Sequence, residues 1–144
     1  MAPEVPDITD AARAVMRSAL QLGVADAKAG ETFLAFVVVG GENPRVEQMV
    51  PGPEAEDPVR VALDMAQRCV AELPQGSAFA VVRDAFLHDT PGKVDAIIIE
   101  FGIVGTSERH FAAQRYRRSR WLRRFRTIGG LIYLAQPQFA AAGA

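Results

Sequence analysis

The chain has 144 residues, 49% apolar and 23% charged, which suits one globular domain able to bury roughly two-thirds of its unfolded surface without a disulfide or metal staple. Cys69 is the only cysteine, which excludes a disulfide framework and a thiolate cluster, and the longest apolar runs, 33–39 and 96–99, are too short to cross a bilayer. The net charge of −1 hides an asymmetry: eight of the sixteen basic residues fall between Arg109 and Arg126 with no acid among them, leaving eight bases against seventeen acids elsewhere.

The opening MAPEVPDITD is acidic and has no apolar centre, which is not the pattern of a secretory signal. Residues 1–6 are expected to be a mobile lead. Asp7 is placed to cap a helix, with Asp10 where a capping box wants an acid. Ile8, Ala12, Val15, Met16, Ala19 and Leu22 recur at helical spacing, so a helix is predicted from Asp7 to Gly23 or on to Lys28, with Gly30 closing it.

The run Thr32–Gly40 (TFLAFVVVG) is β-branched and aromatic and predicts a buried strand. Turn residues 40–44 lead to Arg45–Val50, whose alternation predicts a half-exposed partner strand. Asp57-Pro58 pairs an N-cap acid with proline at the first helical position, where no N–H is needed. The helix it opens carries Val59, Ala62, Met65, Ala66, Cys69, Val70 and Leu73 on one side, and Arg60, Asp64, Arg68 and Glu72 on a solvated face. Pro74 and Gly76 stop it.

Three longer strands follow, Ser77–Leu87, Val94–Val104 and Arg109–Arg117, with Leu131–Leu134 as a short sixth and 136–144 as a fraying tail. The order α-β-β-α-β-β-β-(β) with short turns predicts one α+β domain over residues 1–144. Its antiparallel sheet has about five strands, with both amphipathic helices on one face. The face left over would be solvated, closed by residues 119–135, or buried in a homodimer.

Catalytic motifs are absent from the sequence: it has no nucleophile elbow, no HExxH, no phosphate-cradling glycine loop and no CxxC. No cofactor or metal is expected. His88 lies near Asp84, Asp89 and Asp95, which admits a general base or metal ligand as one alternative, but the carboxylates follow no ligand spacing and two of them flank a turn. Cys69 lies on an apolar helix face near a C-terminus, where thiolate formation is not favoured. His110 opens a strand after a turn with no companion ligand in sequence and reads as a surface or packed histidine.

The basic stretch divides in two. In Arg109–Arg117, strand alternation sets Arg115 and Arg117 opposite Tyr116, and Glu100 on the preceding strand is a possible partner for Arg115. From Ser119 the spacing of Trp121, Leu122, Phe125 and Ile128 fits a short helical hook, with Ser119 as N-cap and Gly129 just past the end. The candidate partner-binding residues are Arg118, Arg120, Trp121, Arg123, Arg124, Phe125 and Arg126. Three readings compete: docking of an acidic protein or of a second copy, binding of nucleic acid or another polyanion, and a solvated arginine-rich connection paired within the fold. The expected protein is a cytoplasmic, non-catalytic interaction module, a homodimer, whose partner is itself or an acidic protein, with no membrane partner.

Overall fold

A computed structural model describes residues 7–30, 33–41, 43–89, 92–119, 124–134 and 139–141. The elements run α1 (Asp10–Lys28), β1 (Phe36–Val39), β2 (Arg45–Gln48), α2 (Pro58–Ala71), β3 (Ala78–Asp89), β4 (Gly92–Ile103), β5 (Arg109–Ser119), β6 (Arg124–Leu134) and β7 (Phe139–Ala141). The class is α+β. Six strands form one antiparallel sheet in the order β2-β1-β3-β4-β5-β6, and β7 pairs with β3 beyond the end of β1. The tail expected to fray therefore contributes a strand over 139–141, while residues 1–6, 135–138 and 142–144 lie outside the described residues.

The two helices lie on opposite faces of the sheet, which corrects the one-face arrangement expected from sequence. Successive strand side chains alternate between faces. α1 buries Ala12, Val15, Met16 and Ala19 against Phe36, Val38, Ala80, Val82, Ile97 and Ile99. α2 buries Ala62, Ala66 and Val70 against Val37, Phe79 and Val81, the residues in between. The physical reason lies in the strands. Val37-Val38, Val81-Val82 and Ile97-Ile98-Ile99 are apolar at consecutive positions, so both faces of the central strands must be covered. Fully burying each such side chain contributes about 1.5–3 kcal/mol.

Local chemistry shifts several boundaries. Thr9, not Asp7, caps α1, accepting from the Ala12 N–H, and Asp10 occupies the first turn. Leu22 is exposed, while Gly23 takes the buried position against the sheet. A Cβ on Gly23 would lie 2.8 Å from Ile97 Cγ2 and 3.1 Å from Val82 Cγ1, so the absent side chain is what lets α1 approach. Asp57 caps α2 as its sequence implied, accepting from the Arg60 N–H at 3.1 Å with Pro58 behind it. Arg60, Asp64, Arg68 and Glu72 are all exposed. At β2 the apolar Val46 and Val50 are exposed and Met49 is buried.

The largest revision concerns 119–128. Arg124–Ile128 is extended, so over these residues the expected helical hook is replaced by the first half of β6, paired to β5 through Arg118↔Phe125, Arg117↔Arg126 and Arg115↔Ile128, while 120–123 lie outside the described residues. Gly129, with φ of 64°, supplies a bulge rather than a helix C-terminus. Both structures want a residue at positive φ, so glycine there does not discriminate between them.

Candidate functional site

The β5–β6 ribbon sorts the basic stretch into two faces. On the α1 face lie Tyr116, Arg118, Phe125 and Thr127; on the other lie Arg115, Arg117, Ser119, Arg124 and Arg126.

The α1 face is an anchor. Phe125 packs against the α1 core and its ring meets Tyr116 at 5.3 Å between centroids. The Tyr116 hydroxyl donates to Asp84 Oδ1 at 2.7 Å in a buried pair. Burial lifts the Asp84 carboxyl above the usual carboxylate range, against the Tyr116 hydrogen bond, which lowers it. Burial, followed by the hydrogen bond to Asp84, raises the Tyr116 hydroxyl well above its ordinary value. Arg118 donates from Nη1 to the Gly30 carbonyl at 3.1 Å and from Nη2 to the Ala27 carbonyl. It thereby ties β5 to the end of α1, where the Ala27 carbonyl also accepts from the Gly30 N–H, and sets a positive charge at the negative pole of the helix. Arg118 and Phe125 are thus committed within the fold.

The opposite face carries outward charge. Arg117, Arg124 and Arg126 are exposed, and Arg117 stands directly across from Arg126. Among the described residues no carboxylate lies within ion-pair distance of these three guanidinium groups. Like charges set directly opposite on a sheet disfavour the pairing. Arg120, Trp121 and Arg123 lie outside the described residues. Arg117, explained from sequence as a cross-strand partner, belongs instead with Arg124 and Arg126. Its placement needs the register of the first half of β6, where the local spacing predicts a helix.

The carboxylate proposed for Arg115 is engaged elsewhere. Glu100 pairs across the ladder with Phe111, and its side chain takes Arg109 Nε at 2.9 Å and Gln67 Nε2 at 3.0 Å. Arg115 faces Ala96 instead. Beside this group is a crevice of about 280 Å³ lined by Leu63, Val81, Arg83, Ile98 and Phe111. It falls just below the roughly 300–1,000 Å³ usual for ligand pockets, and its one carboxylate is spent on Arg109 and Gln67.

The remaining sequence candidates separate. Asp84 and Asp95 share a sheet face, and the side chains of His88 and Asp89 lie outside the described ones. Asp84 is held in the buried bond to Tyr116. Among the described residues no group of three or more His, Cys, Asp and Glu is placed to hold a metal ion. His110 stacks on Phe101 at 5.1 Å and meets Glu108 Oε2 at 2.9 Å. Glu108 also accepts from the Thr9 N–H at 2.9 Å and the Thr9 hydroxyl at 2.8 Å, tying the start of α1 to β5. Desolvation pushes the Glu108 carboxyl up, but these hydrogen bonds from Thr9 and His110 outweigh it and hold the group below the usual range. Burial, reinforced by Glu47 at 3.2 Å, pushes the Cys69 thiol up to about 11, so it stays protonated at neutral pH.

No family model, curated protein or solved structure matches the chain. No described helix is long and apolar enough to cross a membrane.

Proposed function

We propose that this chain is a non-catalytic binding module that captures an acidic protein partner on the outward face of the β5–β6 ribbon. One observation carries the reading: Arg117, Arg124 and Arg126 stand exposed on a face whose reverse side is anchored by Arg118, Tyr116 and Phe125. The opposed Arg117–Arg126 pair repels in the free protein, and an anion between the two guanidinium groups would remove that cost. An acidic protein is preferred to nucleic acid because the domain has a net charge of −1, whereas dedicated nucleic-acid binders are basic as whole domains.

Fluorescence anisotropy with a labelled oligo-glutamate peptide and a labelled oligothymidylate tests this. The peptide should bind, and the double substitution Arg117→Glu/Arg126→Glu should weaken it at least tenfold while leaving the melting temperature nearly unchanged. Tighter binding of oligothymidylate, with the steep log–log salt dependence of counterion release, would transfer the site to polyanions. Peptide binding that ignores the double substitution would move the site elsewhere.

A further inference from the structure

The sheet ends at β6, and Arg124–Ile128 at its start is a short regular edge. It stays in step with Arg115–Ser119 until the bulge at Gly129 breaks the ladder. On its outer side no described strand follows it. The two faces of this edge differ in chemistry. One presents Arg124 and Arg126, with Arg117 behind them; the other presents Phe125 and Thr127, with Tyr116 behind. Arg124 and Arg126, two residues apart, repeat about every 6.6–6.8 Å along the strand, the spacing of alternate residues in any neighbouring strand.

From this edge we infer the form of the partner: an extended segment that adds to β6 along Arg124–Ile128 and alternates acidic with apolar residues. The inference rests on the proposed basic face and specifies what it holds. Backbone hydrogen bonds to this edge, which no described strand pairs, supply affinity, and side chains at alternate positions supply selectivity. Carboxylates on one side of the added strand meet Arg124 and Arg126; apolar side chains on the other extend the layer begun by Tyr116 and Phe125. A second copy fits this edge poorly. Antiparallel self-pairing centred on Arg126 would set that arginine against its own equivalent, adding to the repulsion already present with Arg117. The short length of the regular segment and the bulge after it also limit indiscriminate edge pairing.

The test uses the full chain and labelled peptides. Val-Glu-Val-Glu-Val-Glu-Val should bind at least tenfold more tightly than Val-Val-Glu-Glu-Glu-Val-Val, which has the same composition and charge. Of two versions of the alternating peptide N-methylated on alternate amides, one should lose binding and the other should retain it. Hydrogen exchange should slow at alternate amides within Arg124–Ile128 when the parent peptide is bound. Equal affinity for the two sequences, or retention of binding by both methylated versions, would overturn strand addition while leaving capture by charge intact. If Arg117→Glu/Arg126→Glu leaves every peptide unaffected, the basic face itself is wrong and the inference falls with it. If light scattering shows a dimer that the peptide dissociates, the occupant is a second copy and the inference is overturned.

Discussion

Arginines from one stretch of sequence serve two opposite purposes, and the residue scale is where they can be told apart. Arg118 reaches the carbonyls of Ala27 and Gly30, and hydrogen bonds from a charged donor typically contribute about 1.5–3 kcal/mol. Arg118→Ala should therefore lower stability by roughly 1–3 kcal/mol, while Arg124→Glu and Arg126→Glu should each stay within about 0.5 kcal/mol, as exposed substitutions do. Urea titration of the three variants checks both halves of that statement. Asp84 offers a second test, through pH. Its folded carboxyl titrates above the unfolded value of about 3.9. The folded state therefore holds a proton that the unfolded state releases, so Asp84 favours folding most below the unfolded value and that contribution is lost as pH rises through the folded one. Asp84→Asn cannot titrate and can still accept from the Tyr116 hydroxyl. Its stability relative to the parent should rise from acid toward neutral pH, measured as melting temperature, whereas Tyr116→Phe should be less stable than the parent because it removes the hydroxyl donor from the buried Asp84 carboxyl.

At the scale of elements, glycines decide how closely the pieces approach. A Cβ at Gly102 would fall 2.0 Å from the Glu108 carbonyl oxygen, which is backbone and cannot swing away. Gly102→Ala should cost about 3 kcal/mol or more by forcing the β4–β5 hairpin open. Gly23→Ala sets two effects against each other. Alanine gains about 1 kcal/mol in helix propensity, but contacts of 2.8 and 3.1 Å with Ile97 and Val82 bring overpacking of about 1–3 kcal/mol. The clash should win, and a lower melting temperature in calorimetry is the expected result. The same scale explains why the sequence predicts a helix over Arg124–Ile128, where the structure has strand, while Leu131–Leu134 is strand in both. Leu122, Phe125 and Ile128 are three apart, which satisfies a helix, yet in the strand Phe125 and Ile128 lie on opposite faces. The apolar face there is completed by Tyr116 and α1, distant in sequence, so the local pattern did not carry it. α2 was legible because Asp57-Pro58, the apolar stripe and Pro74 agree locally.

At the scale of the molecule, one helix packs on each face of the sheet, α1 against β1, β3 and β4 and α2 against β1 and β3. The charge asymmetry then becomes the main surface feature: a basic patch at one sheet edge of a domain whose other residues carry a large excess of acid. The acidic remainder disfavours long polyanions that would run past the patch, and it makes binding of a short acidic segment dependent on ionic strength. Raising salt should weaken the oligo-glutamate complex progressively, and an affinity independent of salt would count against the basic face.

By itself the sequence determined the α+β class, the order of elements, the cap and charged face of α2, and the concentration of arginine between Arg109 and Arg126. Each of these is local: propensity, turn chemistry and charge are written in neighbouring residues. Only the tertiary structure decided which face each helix covers, although the consecutive apolar residues at Val37-Val38 and Ile97–Ile99 already implied cover on both sides. It alone gave Glu100 to Arg109, turned Arg118 and Phe125 inward, and set Arg117, Arg124 and Arg126 together on the open face. The reason is register. A slip of one residue exchanges the two faces of a strand, and register is fixed by partners across the sheet rather than by neighbours along the chain.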